Sequence, residues 1–87
     1  MNNLKHLQDR ELIILLSESQ IPAFEELYNR YWSKLYSSAY NRIRIESVSE
    51  EIVQDFFTSL WINRHKLKIH SSFNTYTYTA IRNLVFK

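Results

Sequence analysis

Apolar residues recur along this chain at intervals of three and four, the period of an amphipathic helix, and they do so in four separate stretches. The first is short. Leu12, Ile13, Leu15 and Leu16 follow Asp9, a residue type that caps helix N-termini. Ser17-Glu18-Ser19-Gln20 reads as the break after it. The second is the longest. Pro22 suits a first helical turn, where its missing N–H is harmless. Phe24, Leu27, Tyr28, Tyr31, Leu35, Ala39 and Ile43 then form a stripe, widened by Trp32, Tyr36 and Tyr40. The third opens on Ser47-Val48-Ser49-Glu50, which has the form of a capping box. Ile52, Val53, Phe56, Phe57, Leu60 and Trp61 continue it, and Lys66 and Lys68 suit the negative pole at its end. A loop over residues 65–71 follows. Ser71 or Ser72 then caps a fourth helix, with Phe73, Tyr76, Ala80, Ile81 and Leu84 on its apolar face. The Thr and Tyr content of residues 75–79 suits a strand by propensity, but the spacing is helical. The expected fold class is all-α, a compact bundle of three to four helices built as one domain over residues 1–87.

Composition sharpens this reading. In 87 residues there are no glycines and one proline, which disfavours the tight hairpins and bulges of a small sheet protein. Hydrophobic residues make up 45% and aromatic residues 15%, enough for a chain this short to build a core. The absence of cysteine excludes disulfides, thiol catalysis and thiolate metal sites. No apolar run approaches the roughly 20 residues of a membrane helix, and Met1-Asn2-Asn3-Leu4-Lys5 lacks the apolar stretch of a signal peptide. The expected location is the cytoplasm, with no membrane partner.

Catalysis finds no support. A phosphate-cradling loop requires glycine. His6, His65 and His70 lack the spacing of a helical zinc pair. No metal, cofactor or catalytic residue is expected, and the chain does not read as an enzyme.

Charge is what points to binding. The net charge is only +2, but residues 46–55 hold four acids and no base, whereas residues 56–87 hold five bases and no acid. An acidic patch beside a basic segment fits two different partners, and equally a solvated surface with chance clustering of charge. Glu51, Gln54 and Asp55 lie three and four apart and project from one helix face together. Spacing alone fits an ordinary solvated helix face, and the same stripe also suits bidentate pairing with the basic residues of a partner helix. In the basic segment, Lys66, Lys68, Arg82 and Lys87 suit phosphates. Phe73, Tyr76 and Tyr78 suit stacking on unpaired bases. His70, Asn74 and Asn83 suit hydrogen bonding to base edges. Phe73 and Tyr76 also fall on the apolar stripe, which sets a core role against the stacking role; Tyr78 lies off it.

Three ordered segments carry a family resemblance. Ser49-Glu50-Glu51-Ile52-Val53-Gln54-Asp55-Phe56-Phe57, with Trp61 following, resembles the polymerase-gripping helix of extracytoplasmic-function sigma factors. Upstream, Ala23-Phe24-Glu25-Glu26-Leu27-Tyr28-Asn29-Arg30-Tyr31 is similar to that family's opening. Downstream, Ser72-Phe73-Asn74-Thr75-Tyr76-Thr77-Tyr78-Thr79-Ala80-Ile81-Arg82-Asn83 is similar to its minus-ten segment. The resemblance implies that Glu51, Gln54 and Asp55 dock on the clamp helices of the largest subunit of core RNA polymerase. It implies that the loop and fourth helix, through Lys66, Lys68, His70, Phe73, Asn74, Tyr78, Arg82 and Asn83, capture the non-template strand of the promoter's minus-ten element. An anti-sigma factor is a further partner it leaves open. The chain departs from the family in Glu51, where Asp is usual, and in Ser19-Gln20, where Gly-Asp usually precedes the long helix. The family's second domain, a helix-turn-helix reading the minus-thirty-five element, is absent from this chain, so a fragment able to self-associate is expected. The alternative is a helical protein–protein or self-association module without nucleic-acid binding.

Overall fold

The computed structural model describes residues 4–86. Its four helices are α1 (Asp9–Ser17), α2 (Ile21–Ile43), α3 (Glu46–Ile62) and α4 (Phe73–Val85), with no strand among the described residues. The expected all-α bundle is therefore the observed fold. At 1.5 Å per residue, the 23 residues of α2 span about 34 Å. The longest dimension of the molecule is also 34 Å, so α2 is its spine. The other three helices pack against α2, and α3 also packs against α4. Thr75 to Thr79 are helical, as the spacing rather than the propensity indicated.

The core lies where the four stripes meet. Leu12 and Leu16 of α1, Ala23, Leu27, Leu35 and Ala39 of α2, and Val53, Phe57 and Leu60 of α3 are buried with Ile81 of α4. Aromatic rings join the layers. Phe57 meets Tyr28 at 4.6 Å and Phe24 edge-on at 6.1 Å. Phe73 meets Tyr31 edge-on at 5.0 Å. Such contacts add about 0.5–1.5 kcal/mol each beyond the area they bury. Trp32, Tyr36 and Tyr40 stack in a half-buried row along α2.

The helix ends differ from expectation in three places. Gln8, not Asp9, precedes the first turn of α1, and its N–H donates to Glu11 Oε1 at 2.8 Å. Asp9 is drawn away by stronger partners: its carboxylate accepts from the Arg30 guanidinium at 3.0 Å and from the Tyr31 hydroxyl. Ser47 does not cap α3, because the helix begins at Glu46 with Ile45 at the cap. Ser49 is buried instead, and its hydroxyl donates to the Ile45 carbonyl at 2.8 Å. Lys66 and Lys68 do not sit at the end of α3, which stops at Ile62. Arg64 takes that place: its guanidinium donates to the Trp61 carbonyl at 2.8 Å and lies 4.0 Å over the Trp61 ring. Ser72 does cap α4, accepting from the Thr75 N–H at 3.1 Å.

Two turns require left-handed backbone and obtain it without glycine. Ser19 has φ 63° and Arg44 φ 64°. At the first turn, Ser19 N–H donates to Leu16 and Gln20 N–H to Leu15, which satisfies the last carbonyls of α1. The turn where Ser19-Gln20 stands in place of Gly-Asp is thus formed with serine.

Candidate binding surfaces

Burial divides α3 lengthwise. Ile52, Val53, Phe56, Phe57 and Leu60 face the core, while Glu51, Gln54 and Asp55 are exposed. Ser49 at the start of the helix and the Arg64 cap at its end fix the rotation that keeps these three outward. None of the three makes a side-chain hydrogen bond or ion pair within the described residues. Two carboxylates and an amide therefore stand side by side with their lone pairs directed to solvent. Beside Gln54 runs an apolar groove of about 480 Å³ between α2 and α3, with Phe24, Tyr28, Phe57 and Trp61 along it. Its lining includes Ile21 and Ile62, whose exposures of 58% and 67% are high for isoleucine.

The segment after α3 is held by its base. Arg64 Nε donates to Ser19 Oγ at 2.9 Å, and His65 Nδ1 lies 2.8 Å from the Ser17 carbonyl. A carbonyl only accepts, so the Nδ1–H tautomer is the one that fits. These two contacts anchor the loop to the end of α1. Beyond them Lys66, Lys68 and His70 are exposed. On α4, Asn74, Tyr78 and Arg82 fall four residues apart in one exposed row, with Asn83 next to it. The structure thus brings seven of the eight proposed strand-binding residues to the surface of the loop and α4.

The eighth is a correction. Phe73 is only 5% exposed, wedged against Tyr31 and near Phe56 and Tyr76. Its ring belongs to the core and presents no free face to a base. It contributes instead to the floor of a cleft of about 540 Å³ between α1 and the loop, lined also by Asp9, Arg10, Ile69 and Ser71. Tyr76 is half-buried, and burial raises its phenol pKa. Lys87 lies outside the described residues.

Two groups that sequence reasoning left out lie beside the α4 row. Lys34 Nζ donates to Asn74 Oδ1 at 2.5 Å, and Arg42 Nη2 donates to the Tyr78 hydroxyl at 2.9 Å. Both come from α2. A signal was present: residues 29–45 hold four bases and no acid. It was hidden because helix adjacency is not written in hydrophobic period.

A separate cluster ties the N-terminal segment to the spine. Arg30 donates to Glu26 at 2.6 Å, to Asp9, and to the carbonyls of Leu4 and Lys5 at 3.2 and 3.1 Å. Burial by itself would depress the Arg30 pKa; the hydrogen bonds to Glu26 and Asp9 outweigh it and hold the pKa above its ordinary value. Tyr31 is pushed up more strongly, by burial first and then by its hydrogen bond to Asp9. This cluster is part-buried, with the Arg30 and Asp9 side chains 23% and 29% exposed. Among the described residues no group of His, Asp and Glu is placed to hold a metal ion. No helix is long and apolar enough to cross a membrane among them.

The sequence model of sigma-70 region 2 matches residues 27–87, which takes in most of α2 and all of α3, the loop and α4. No curated protein matches the chain, and no solved structure matches it.

Proposed function

The chain belongs to the sigma-70 region 2 family, whose members bind RNA polymerase and promoter DNA as non-enzymatic initiation factors, and on that premise we propose that it is an extracytoplasmic-function type domain with two separate working surfaces. The first surface docks on core RNA polymerase. Glu51, Gln54 and Asp55 supply acceptors with no side-chain partner among the described residues, suited to arginines on the clamp helices of the largest subunit. The apolar groove beside Gln54 would take an apolar side chain from the same partner. Charged groups at the rim would set register and on-rate, and the buried apolar contact would hold the complex.

The second surface captures the non-template strand of the minus-ten element. Lys66, Lys68 and Arg82 contact phosphates, which positions the strand without reading it. Tyr78 offers a half-exposed ring for stacking, worth about 1–3 kcal/mol per base. His70, Asn74 and Asn83 offer hydrogen bonds to base edges, and the cleft between the loop and α1 has room for an unstacked base. Taking a base out of a duplex costs a few kcal/mol. A surface that binds the strand only once it is melted draws the equilibrium toward the open state by its differential affinity. No cofactor enters this scheme, and the site of action is the bacterial cytoplasm.

One observation carries the proposal. A single helix and the loop that follows it carry an unpaired acidic ridge and then a segment with no acid, both exposed. The decisive experiment is capture of core polymerase by this chain and by a Gln54→Ala/Asp55→Ala variant. The expected result is loss of capture in the variant with its thermal midpoint unchanged. Equal capture by both would discredit the docking face. Capture retained, with no salt-sensitive affinity for single-stranded minus-ten DNA, would reject the strand-binding surface.

A further inference from the structure

We infer that the nucleic-acid track extends from α4 across the groove between α2 and α4, with Lys34 and Arg42 of α2 as additional phosphate contacts. This rests on the strand-capture reading and extends it onto a helix that reading leaves unused. The groove holds about 520 Å³ and is lined by Lys34, Ser37, Ser38, Asn41, Asn74 and Tyr78 among others, with no carboxylate. Residues 29–45 of α2 and its turn carry no acid, and neither does α4. The one formal charge in the lining is the Lys34 ammonium, and Arg42 stands beside it on Tyr78, which favours a polyanion at short range.

Both cations are held ready by α4. Lys34 is tied to Asn74 Oδ1, and among the described residues it has no acidic partner. Arg42 donates one hydrogen bond to the Tyr78 hydroxyl, and its guanidinium lies 5.6 Å from the rings of both Tyr78 and Phe86. A guanidinium carries five N–H donors, so most remain for a phosphate. Because the side chain is already held, less rotamer freedom is lost on binding. The two positions are eight residues apart, about 12 Å along the helix, so they meet different phosphates.

The lining also selects the occupant. An acidic protein helix would need apolar anchors. Leu35, the one aliphatic residue of the lining, is only 2% exposed, and the side chains that reach the groove carry hydroxyls, amides and the ring of Tyr78, itself 50% exposed. That set matches sugar, phosphate and an unpaired base. The occupant is therefore single-stranded nucleic acid leaving the α4 row.

The test uses the chain bound to core polymerase, with fluorescent oligodeoxythymidylate as probe over a series of salt concentrations. Lys34→Gln and Arg42→Gln should each flatten the slope of log affinity against log salt by about 0.7, and together by about 1.4. Arg42→Lys should keep the slope, because the charge survives. A slope lost equally in Arg42→Lys would make Arg42 a structural tie between helices and overturn its role here. An unchanged slope in the double variant, alongside a reduced slope in Lys66→Gln/Lys68→Gln, would overturn the α2 track and leave strand capture standing. No salt-dependent binding in the unaltered chain would overturn both. Displacement of the probe by polyglutamate as readily as by unlabelled oligodeoxythymidylate would assign the groove to an acidic protein and reject the inference.

Discussion

Arg30 shows how much a single side chain can decide in a core this small. Its guanidinium joins Glu26 one turn back, Asp9 of α1, and two carbonyls of the segment before α1. Glu26 is only 5% exposed, so removing the arginine would leave a buried carboxylate without that partner. Arg30→Ala should therefore cost about 2–4 kcal/mol, read as a lower urea midpoint. Tyr31 adds a pH signature. Its phenol is raised above the ordinary 10.0 by burial and by Asp9. The folded chain then holds this proton more tightly than the unfolded chain does. The contribution is complete below about pH 10 and is lost as the pH rises beyond it. The urea midpoint should hold up to about pH 10 and fall as the pH rises beyond it, and Tyr31→Phe should make that fall shallower. Tyr36 and Tyr76, also raised, keep some of it. None of this cluster was legible in the sequence. Asp9 read as a helix cap because local pattern cannot show a partner 21 residues away. Phe73 failed for the opposite reason. Its place on the stripe and its aromatic chemistry gave two readings, and only the position of Tyr31 decides between them.

At the scale of elements, the apolar period located all four helices, while their ends followed contacts that the period does not record. Ser72 and Ser47 make the contrast measurable. Both read as caps, but only Ser72 accepts a backbone N–H. Ser72→Ala should cost about 1 kcal/mol, whereas Ser47→Ala at its exposed helical position should stay within about 0.5 kcal/mol of zero. The turn between α2 and α3 holds Arg44 in left-handed backbone with no glycine to ease it. Arg44→Gly should raise stability by about 0.5–1 kcal/mol in thermal or urea denaturation, despite the loss of a weak contact over the Tyr40 ring. The equivalent change at Ser19 should gain less, because Ser19 Oγ accepts a hydrogen bond from Arg64. That hydrogen bond also gives the serine a role of its own: it fixes the base of the loop that carries Lys66 and Lys68.

Across the whole molecule, the question is whether the two proposed surfaces act as one device or two. The acidic ridge and the basic segment are consecutive in sequence, which is why charge pattern alone could separate them. Between them the chain is fixed rather than hinged. Arg64 and His65 bind the loop base to Ser19 and Ser17, and Phe56 and Phe57 fill the interior beneath the ridge. The radius of gyration of 12.8 Å, against roughly 30 Å for an unfolded chain of this length, is that of one compact body. Gln54 and Asp55 share no side-chain hydrogen bond or ion pair with Lys66 or Lys68 among the described residues. Sites on a rigid body with no common partner contribute additively to within about 0.5 kcal/mol. For assembly of polymerase, chain and single-stranded promoter DNA, the losses from Gln54→Ala/Asp55→Ala and from Lys66→Gln/Lys68→Gln should therefore sum. A double-mutant cycle built from affinities of the ternary complex checks this. A coupling above about 1 kcal/mol would mean that docking reshapes the loop, so that polymerase binding itself prepares the strand-binding surface.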